Sequence, residues 1–238
     1  MVAVSRHRQL SHEPLERSSL VHDWLVHDSV GDAAEFHSAD AQPVRSATFH
    51  MVAASTLVLG SAQRDTDVDR RVADALGIAV VKRRSGGGAV LLLPDEFVWL
   101  DLVIPADDQL WDNDIGQAMV WVGELWQRAL GELGIATDVN NSSGSTPWSR
   151  QVCFAGVGRG EVVDGGRKIV GVSQRRTRTA ARFQSLCHLR WRPELVAALV
   201  AEPRPLATEV AALVATVAAP AAAIRDALVK HLPSRTSQ

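Results

Sequence analysis

Apolar residues follow two different spacings along this chain of 238 residues. Short apolar runs rich in valine and aromatic side chains predict strands over residues 45–52, 55–61, 79–84, 89–93, 97–105 and 182–191. Residues 160–176 predict a hairpin that turns at Asp164, Gly165 and Gly166. Several of these strands follow one another without an intervening helix, which favours an α+β fold over a doubly wound parallel sheet.

Helical spacing is clearest over residues 113–133. One apolar stripe runs along this segment and consists of Ile115, Met119, Val122, Trp126, Ala129 and Leu133. A second helix is predicted at 65–76, with Asp65 or Thr66 as its N-cap and Gly77 as its end. Residues 21–40 are expected to form a short helix and a loop.

The pattern divides the chain into three parts. Residues 1–20 are expected to be a poorly ordered N-terminus, residues 21–192 an α+β domain, and residues 193–238 a C-terminal extension of two or three helices. The longest apolar run of the extension is broken by Pro220 and is too short to span a bilayer.

Composition narrows the class of protein. A net charge of -2 argues against a general nucleic-acid binder, and two cysteines fit a reduced compartment better than a disulfide scaffold. The N-terminus has no apolar signal segment, and the eight histidines lack the spacing of zinc ligands. We therefore expect a cytoplasmic enzyme or binding protein with no bound metal and with neither nucleic acid nor a membrane as partner.

The stretch "RRSGGGAV", residues 83–90, carries the first candidate chemistry. It lacks the spacing of a Walker A loop or of a dinucleotide-binding loop, and strands are predicted on both sides of it. Bare backbone beside Arg83, Arg84 and Ser85 suits an anionic or carbonyl-bearing ligand. The alternative is a glycine-rich turn with surface arginines.

A second feature is the local charge of the predicted hairpin and the strand after it. Residues 159–192 contain nine basic and two acidic residues, an excess of +7 in an acidic chain. This excess indicates either a solvated basic face or a site for a phosphate or an acidic partner. Lys168 is one of only three lysines among twenty-five basic residues, and Gly171 indicates a close approach to its strand.

Together, "RRSGGGAV" and "GRKIVGVSQRRTR" resemble the lipoate–protein ligase and octanoyltransferase family, which is related to biotin–protein ligases. The resemblance covers about residues 55–190 and includes "LVLGSAQ". It implies a mixed, largely antiparallel sheet flanked by helices. It also implies that residues 21–192 form a catalytic domain that attaches an acyl group to a lysine of a carrier protein.

The resemblance also implies roles for individual residues. The loop that covers the acyl chain and its adenylate would consist of Arg83, Arg84, Ser85, Gly86, Gly87, Gly88 and Ala89. Lys168 would contact the acyl carbonyl and the phosphate, and Gly171 and Ser173 would line the same substrate site. A fixed ammonium and backbone N–H groups would stabilise the negative charge that develops on the carbonyl oxygen during acyl transfer.

Three interpretations follow, and they differ in mechanism. A ligase would activate lipoate or octanoate with ATP and Mg²⁺ as an acyl-adenylate, and the arginine–glycine loop favours this form. A transferase would take octanoate from acyl carrier protein as a thioester on Cys153, whereas Cys187 is expected in the core. The acceptor in both is a lipoyl carrier domain of 2-oxoacid dehydrogenases or glycine-cleavage proteins.

The third interpretation is a non-catalytic relative that binds an acyl or nucleotide ligand. It is motivated by departures from the family pattern, because "LLLPDE" replaces a His-Asp element after the glycines and Gln184-Ser185 replaces His-Gly. The C-terminal extension, about 45 residues long, is expected to be too short for the accessory domain of the larger ligases, and this weighs against the ligase form.

Overall fold

Two β-sheets lie face to face at the centre of the molecule. A computed structural model describes residues 17–235 of the chain. Its strands are β1 (Arg17–Val21), β2 (Trp24–Gly31), β3 (Ser46–Val52), β4 (Thr56–Leu59), β5 (Ala79–Lys82), β6 (Val90–Leu92), β7 (Phe97–Pro105), β8 (Asp138–Val139), β9 (Val162–Asp164), β10 (Arg167–Arg176) and β11 (Ala180–His188). Its α-helices are α1 (Ala33–Ser38), α2 (Arg70–Ala75), α3 (Val120–Glu132), α4 (Pro193–Leu199), α5 (Ala207–Ala211) and α6 (Ala221–Lys230).

The larger sheet has the strand order β1-β2-β3-β7-β11-β10-β9-β8, and the smaller sheet has the order β5-β4-β6. Neighbouring strands are antiparallel except for the pairs β2–β3 and β4–β5. Both parallel pairs have a helix in their connection, as a crossover requires. The predicted α+β fold, with a largely antiparallel sheet flanked by helices, is confirmed.

Alternate residues of the central strands face two different cores. Leu100 and Leu102 of β7 point to one side of the large sheet and pack against α3 and α6. Trp99, the residue before Leu100, points to the other side and packs with Val58 and Leu92 of the small sheet. Helices α2, α4 and α5 cover the outer face of the small sheet. The space between the two sheets is therefore lined from both sides, and it is where the candidate site lies.

Two predictions near the N-terminus are wrong. Residues 17–20 belong to β1 and pair with β2, so the expected disorder does not extend to them, and residues 1–16 lie outside the described part of the chain. Residues 21–40 consist mainly of β2, with a helix only at Ala33–Ser38, because β2 finds pairing partners on both edges.

The helix predicted at 65–76 begins later than expected. Asp69 caps it by accepting a hydrogen bond from the N–H of Val72 at 3.3 Å, so the α-helix starts at Arg70. Gly77, with φ +63°, ends it as predicted. In the long helix, Ile115 precedes the first turn of α3 and is 61 % exposed, so the predicted stripe is too long at its start.

The C-terminal segment forms three helices, as predicted, but these helices do not form a separate unit. Ile224 and Leu228 of α6 are fully buried in the core beneath the large sheet. The segment before α6 adds backbone hydrogen bonds to β10, from Lys168 N–H to Leu213 O and from Ala215 N–H to Lys168 O, both at 2.9 Å. The residues after 192 thus complete the central domain.

A buried polar cluster joins α1 to the large sheet. The guanidinium of Arg182 donates to the carboxylate of Asp101 and to the carbonyl oxygens of Phe36 and Ala39 in and after α1. Burial alone raises the pKa of Asp101, but the neighbouring Arg182 and His50 hold it well below its usual range. The carboxylate is therefore charged at neutral pH, and Arg182 supplies a permanent counter-charge.

Replacing Arg182 with methionine should destabilise the protein by about 3–5 kcal/mol, because the buried Asp101 charge would lose its partner. The exposed Arg178 provides a matched control, and Arg178→Met should change the free energy of unfolding by less than about 0.5 kcal/mol. Urea unfolding at pH 7 measures both values. Equal effects of the two substitutions would contradict the role given to the cluster.

Candidate active site

The connection between β5 and β6, which contains the three glycines, is held from within by one arginine. The buried guanidinium of Arg83 donates to the carbonyl oxygens of Gly86 and Gly88 at 2.7 and 2.8 Å. Arg84 instead points outward and pairs with the carboxylate of Asp40. The two neighbouring arginines, predicted to act together, therefore have different surroundings.

Backbone packing excludes side chains at part of this connection. A Cβ on Gly88 would lie 2.7 Å from the carbonyl carbon of Val152, and Gly87 has φ +97°. Next to Gly88, Ala89 exchanges backbone hydrogen bonds with Gln151 and Cys153. A close main-chain approach, rather than a bound acyl chain, thus accounts for the glycine at position 88.

Lys168 is inside the protein, although a lysine next to a hairpin turn ordinarily faces solvent. A register shift between β9 and β10 occurs at this residue, and its side chain is 2 % exposed. Its Nζ lies 2.6 Å from a carboxylate oxygen of Glu161 and donates to the carbonyl oxygens of Cys153 and Gly156 at 3.0 and 3.2 Å. The ammonium therefore joins the hairpin to the segment that carries Cys153.

The charge of Lys168 is retained despite burial. Burial lowers the pKa of a lysine, but here Cys153 and Glu161 outweigh that effect and the pKa of Lys168 is raised. Glu161 is itself fixed, because its carboxylate also accepts the N–H groups of Gly158 and Val172 at 2.7 and 3.1 Å. Sequence reasoning missed Glu161, although it is one of only two acidic residues in the basic segment 159–192.

Cys153 begins a 3-10 turn, Cys153–Ala155, and is half-buried. Its Sγ lies 4.0 Å from the Nζ of Lys168, so the two residues that were predicted to be catalytic are neighbours. Cys187 lies in the core, as expected, and burial raises the pKa of its thiol well above the usual range. Of the two thiols, Cys153 is the one that a substrate can reach.

Two cavities meet at Cys153. The apolar pocket lies between the sheets and is lined mostly by hydrophobic side chains, among them Val58, Val90, Leu92, Trp99, Phe154 and Leu186. The open cleft lies on the other side of Cys153 and is lined by Gly86, Gly87, Gly88, Arg159, Glu161 and Lys168, among others. Cys153, Val172 and Ser173 line both cavities.

The predicted substrate-binding residues separate into two groups. Those that line one or both cavities are Arg83, Gly86, Gly87, Gly88, Gly171 and Ser173. Those that line neither are Arg84, Ser85 and Ala89. The N–H groups of the three glycines donate to no residue in the described part of the chain, so they remain available to a ligand in the open cleft.

Ion pairs neutralise part of the basic charge of residues 159–192. Lys168 pairs with Glu161, Arg182 with Asp101 and Arg192 with Glu96. Two of these three acidic residues come from outside the segment, so the local count overstated the free positive charge. Arg159 remains as a basic side chain on the open cleft.

The sequence matches the family model of the lipoyl protein ligase A/B catalytic domain over residues 32–234. This match covers most of the chain, and the protein therefore belongs to that family. The predicted resemblance is thus confirmed, and it extends into the C-terminal helices. A search of curated proteins gives no significant match.

Solved structures share the fold at low sequence identity. A bi-partite lipoate protein ligase from Thermoplasma acidophilum has a TM-score of 0.65 at 18% identity, over 90% of this chain and 82% of that chain. A lipoate-protein ligase A bound with ATP has a TM-score of 0.63 at 20% identity, over 84% of this chain and 76% of that chain. Identities this low show a common fold and nothing more specific.

The glycine connection can be tested with a matched pair of substitutions. Gly88→Ala should cost about 1–3 kcal/mol of stability, because its Cβ would overlap the backbone at Val152. Gly86→Ala should be nearly neutral, since that position has open space. Denaturant unfolding of both variants measures the difference. Two equal values would mean that main-chain approach is not what requires glycine at position 88.

Lys168 should matter for stability as well as for activity. Lys168→Ala leaves the buried Glu161 carboxylate without its partner, so we expect a loss of about 3–5 kcal/mol in the free energy of unfolding. Lys230, whose side chain is 65% exposed and which pairs with Glu132, is the control, and Lys230→Ala should cost less than about 1 kcal/mol. A Lys168→Ala variant as stable as the control would argue against the buried ion pair.

Proposed function

We propose that this protein transfers a lipoyl or octanoyl group to a lysine of a lipoyl carrier domain, and that the acyl group passes through a thioester on Cys153. The observation that carries the proposal is the position of the Cys153 Sγ. It lies where the apolar pocket meets the open cleft, 4.0 Å from a charged, buried lysine. An acyl chain in the pocket would present its carbonyl carbon to this sulfur.

Membership of the lipoyl protein ligase A/B family supports the acyl group and the type of acceptor. Among the similar structures, one holds bound lipoic acid and another is of a ligase studied with its E2 lipoyl domain, both from Thermoplasma acidophilum. By analogy, the acceptor here would be a lipoyl domain of a 2-oxoacid dehydrogenase or a glycine-cleavage protein.

The proposed reaction has two steps. The Cys153 thiolate attacks the carbonyl carbon of an acyl thioester on a carrier protein, the new carbon–sulfur bond forms, and the carrier thiolate leaves and takes up a proton. The acceptor lysine amine then attacks the Cys153 thioester. An amide forms, the amine gives up a proton, and Cys153 leaves as a thiolate. No additional co-reactant is needed.

Negative charge forms on the carbonyl oxygen in both steps, and two features of the site are suited to stabilise it. The ammonium of Lys168 supplies a fixed positive charge next to the sulfur. The unpartnered N–H groups of Gly86, Gly87 and Gly88 supply hydrogen-bond donors on the open cleft. Loss of a single donor of this kind typically reduces the rate by about 10²–10³.

A second candidate is the ATP-dependent ligase, which the sequence favoured. It is supported by the basic side chains of Arg159 and Lys168 on the open cleft, where phosphates of an acyl-adenylate would be held. One similar structure is described as bound with ATP. In this form ATP and Mg²⁺ would be co-substrates, and Cys153 would line the site without taking part in the chemistry. Within residues 17–235, no cluster of three or more His, Cys, Asp or Glu side chains could hold a metal ion.

The non-catalytic interpretation is less well supported than either reaction. Its motive was the loss of polar family residues, but Lys168, Glu161 and Cys153 form a closely packed group on the open cleft, and Cys153 also lines the apolar pocket. The cytoplasmic location stays a prediction. In the described part of the chain, every helix is too short or too polar to cross a membrane.

The thioester distinguishes the two reactions. After incubation with octanoyl-carrier protein and no ATP, the intact mass of the wild type should show an acyl adduct. The Cys153→Ser variant should show no adduct, and its transfer rate should fall by at least about 10³-fold. Cys187→Ser, a substitution in the core thiol, should keep both.

The ligase mechanism predicts a different result in the same assays. A Cys153→Ser variant that retains ATP-dependent transfer from free octanoate, beside a wild type that forms no adduct, would establish the ligase mechanism instead. The wild-type rate with free octanoate and Mg-ATP should be measured in the same series.

A further inference from the structure

The apolar pocket crosses three neighbouring strands of the large sheet. Its floor runs from Gly171 on β10 to Leu186 on β11 and on to Trp99 on β7, residues that are direct partners in the strand register. Two strand spacings correspond to about 10 Å. A medium-length acyl chain that begins at Cys153 would therefore place its far end near Trp99.

That far end is polar, although the walls are apolar. The ring of His37 on α1 stacks on Trp99, with ring centroids 4.6 Å apart, and both side chains line the pocket. The Nδ1 of His37 lies 3.4 Å from the amide nitrogen of Gln184, which also lies 3.4 Å from the Asp101 carboxylate. Because a carboxylate only accepts hydrogen bonds, the amide nitrogen is the group that faces both partners.

This arrangement determines where the imidazole proton is. The Gln184 amide donates to Nδ1 of His37, so the ring carries its hydrogen on Nε2. Burial, assisted by Arg83 and Arg182, lowers the pKa of His37 to about 4, and the ring is neutral at pH 7. The Nε2–H donates to no residue in the range 17–235. Because His37 lines the apolar pocket and its Nε2 is not sealed from solvent, this N–H can bind water or a ligand.

We propose that His37, oriented by Gln184, selects acyl chains whose far end carries a hydrogen-bond acceptor or a polarisable group. The cyclic disulfide of a lipoyl group is such an end, whereas the methyl end of an octanoyl group is not. This inference rests on the proposed function, because it names the preferred acyl group of the same site.

Two physical effects favour the disulfide. Sulfur is a weak acceptor for the Nε2–H of His37, whereas an alkyl end would displace water from that donor without replacing its hydrogen bond. Sulfur next to the ring of Trp99 also makes a favourable contact that a methylene group does not match. Arg182 stabilises the backbone next to His37, because its guanidinium donates to the carbonyl oxygens of Phe36 and Ala39.

The test measures the affinity of the protein for free lipoate and free octanoate by isothermal titration calorimetry at pH 7. The wild type should bind lipoate about 3- to 10-fold more tightly than octanoate. His37→Phe keeps an aromatic ring on Trp99 but removes the donor, and it should lose most of this preference. His37→Gln places an amide N–H near the position of Nε2 and should restore it.

A ligand-side comparison needs no substitution in the protein. The carbocyclic analogue of lipoate, with methylene groups in place of both sulfur atoms, should bind the wild type about as weakly as octanoate does. A wild type that binds neither acid, or binds lipoate and the analogue equally, overturns the inference. An unchanged preference in a folded His37→Phe variant overturns it as well.

Transfer assays separate this inference from the proposed function. If the wild type and His37→Phe both acylate a lipoyl domain with the same lipoyl-to-octanoyl ratio, the proposed function stands and the inference fails. If the protein shows the lipoate preference in binding and transfers neither group, the inference stands and the proposed function fails.

Discussion

The rest of the site depends on the ion pair between the buried ammonium of Lys168 and the carboxylate of Glu161. A charged group so deep in a protein is stable only when its hydrogen bonds are satisfied and a counter-charge is near. Glu161 supplies the charge, and the carbonyl oxygens of Cys153 and Gly156 supply the remaining acceptors. The same bonds that satisfy the lysine therefore fix the segment that holds Cys153.

The backbone at Lys168 is held from both sides by distant parts of the chain. On one side β9 pairs with β10, and Glu161 is the residue immediately before β9. On the other side, residues 213–215 of the C-terminal segment bond to Lys168 itself. This explains why the helices after residue 192 belong to the central domain. Without them, the polar backbone groups of Lys168 would be left unpaired next to a buried charge.

The second constraint is the separation of the two sheets. Side chains alternate along β7, so that Leu100 faces the helix-covered core and Trp99 faces the space between the sheets. The buried Asp101–Arg182 pair then holds α1 across the end of that space. A pocket with apolar walls and a polar end results, because the charged pair lies behind the pocket and His37 reaches into it.

Most strands of the fold, and the family of the protein, could be predicted from the sequence. The runs of valine and aromatic residues predicted most strands, the Asp164-Gly165-Gly166 turn predicted the β9–β10 hairpin, and the two motifs predicted the family. These features are local, since a turn or an alternating strand needs only its own residues. The tertiary structure decided the rest. The burial of Lys168, its pairing with Glu161 and the stacking of His37 on Trp99 depend on segments that meet only after folding, and residue spacing carries no record of which charges will become partners.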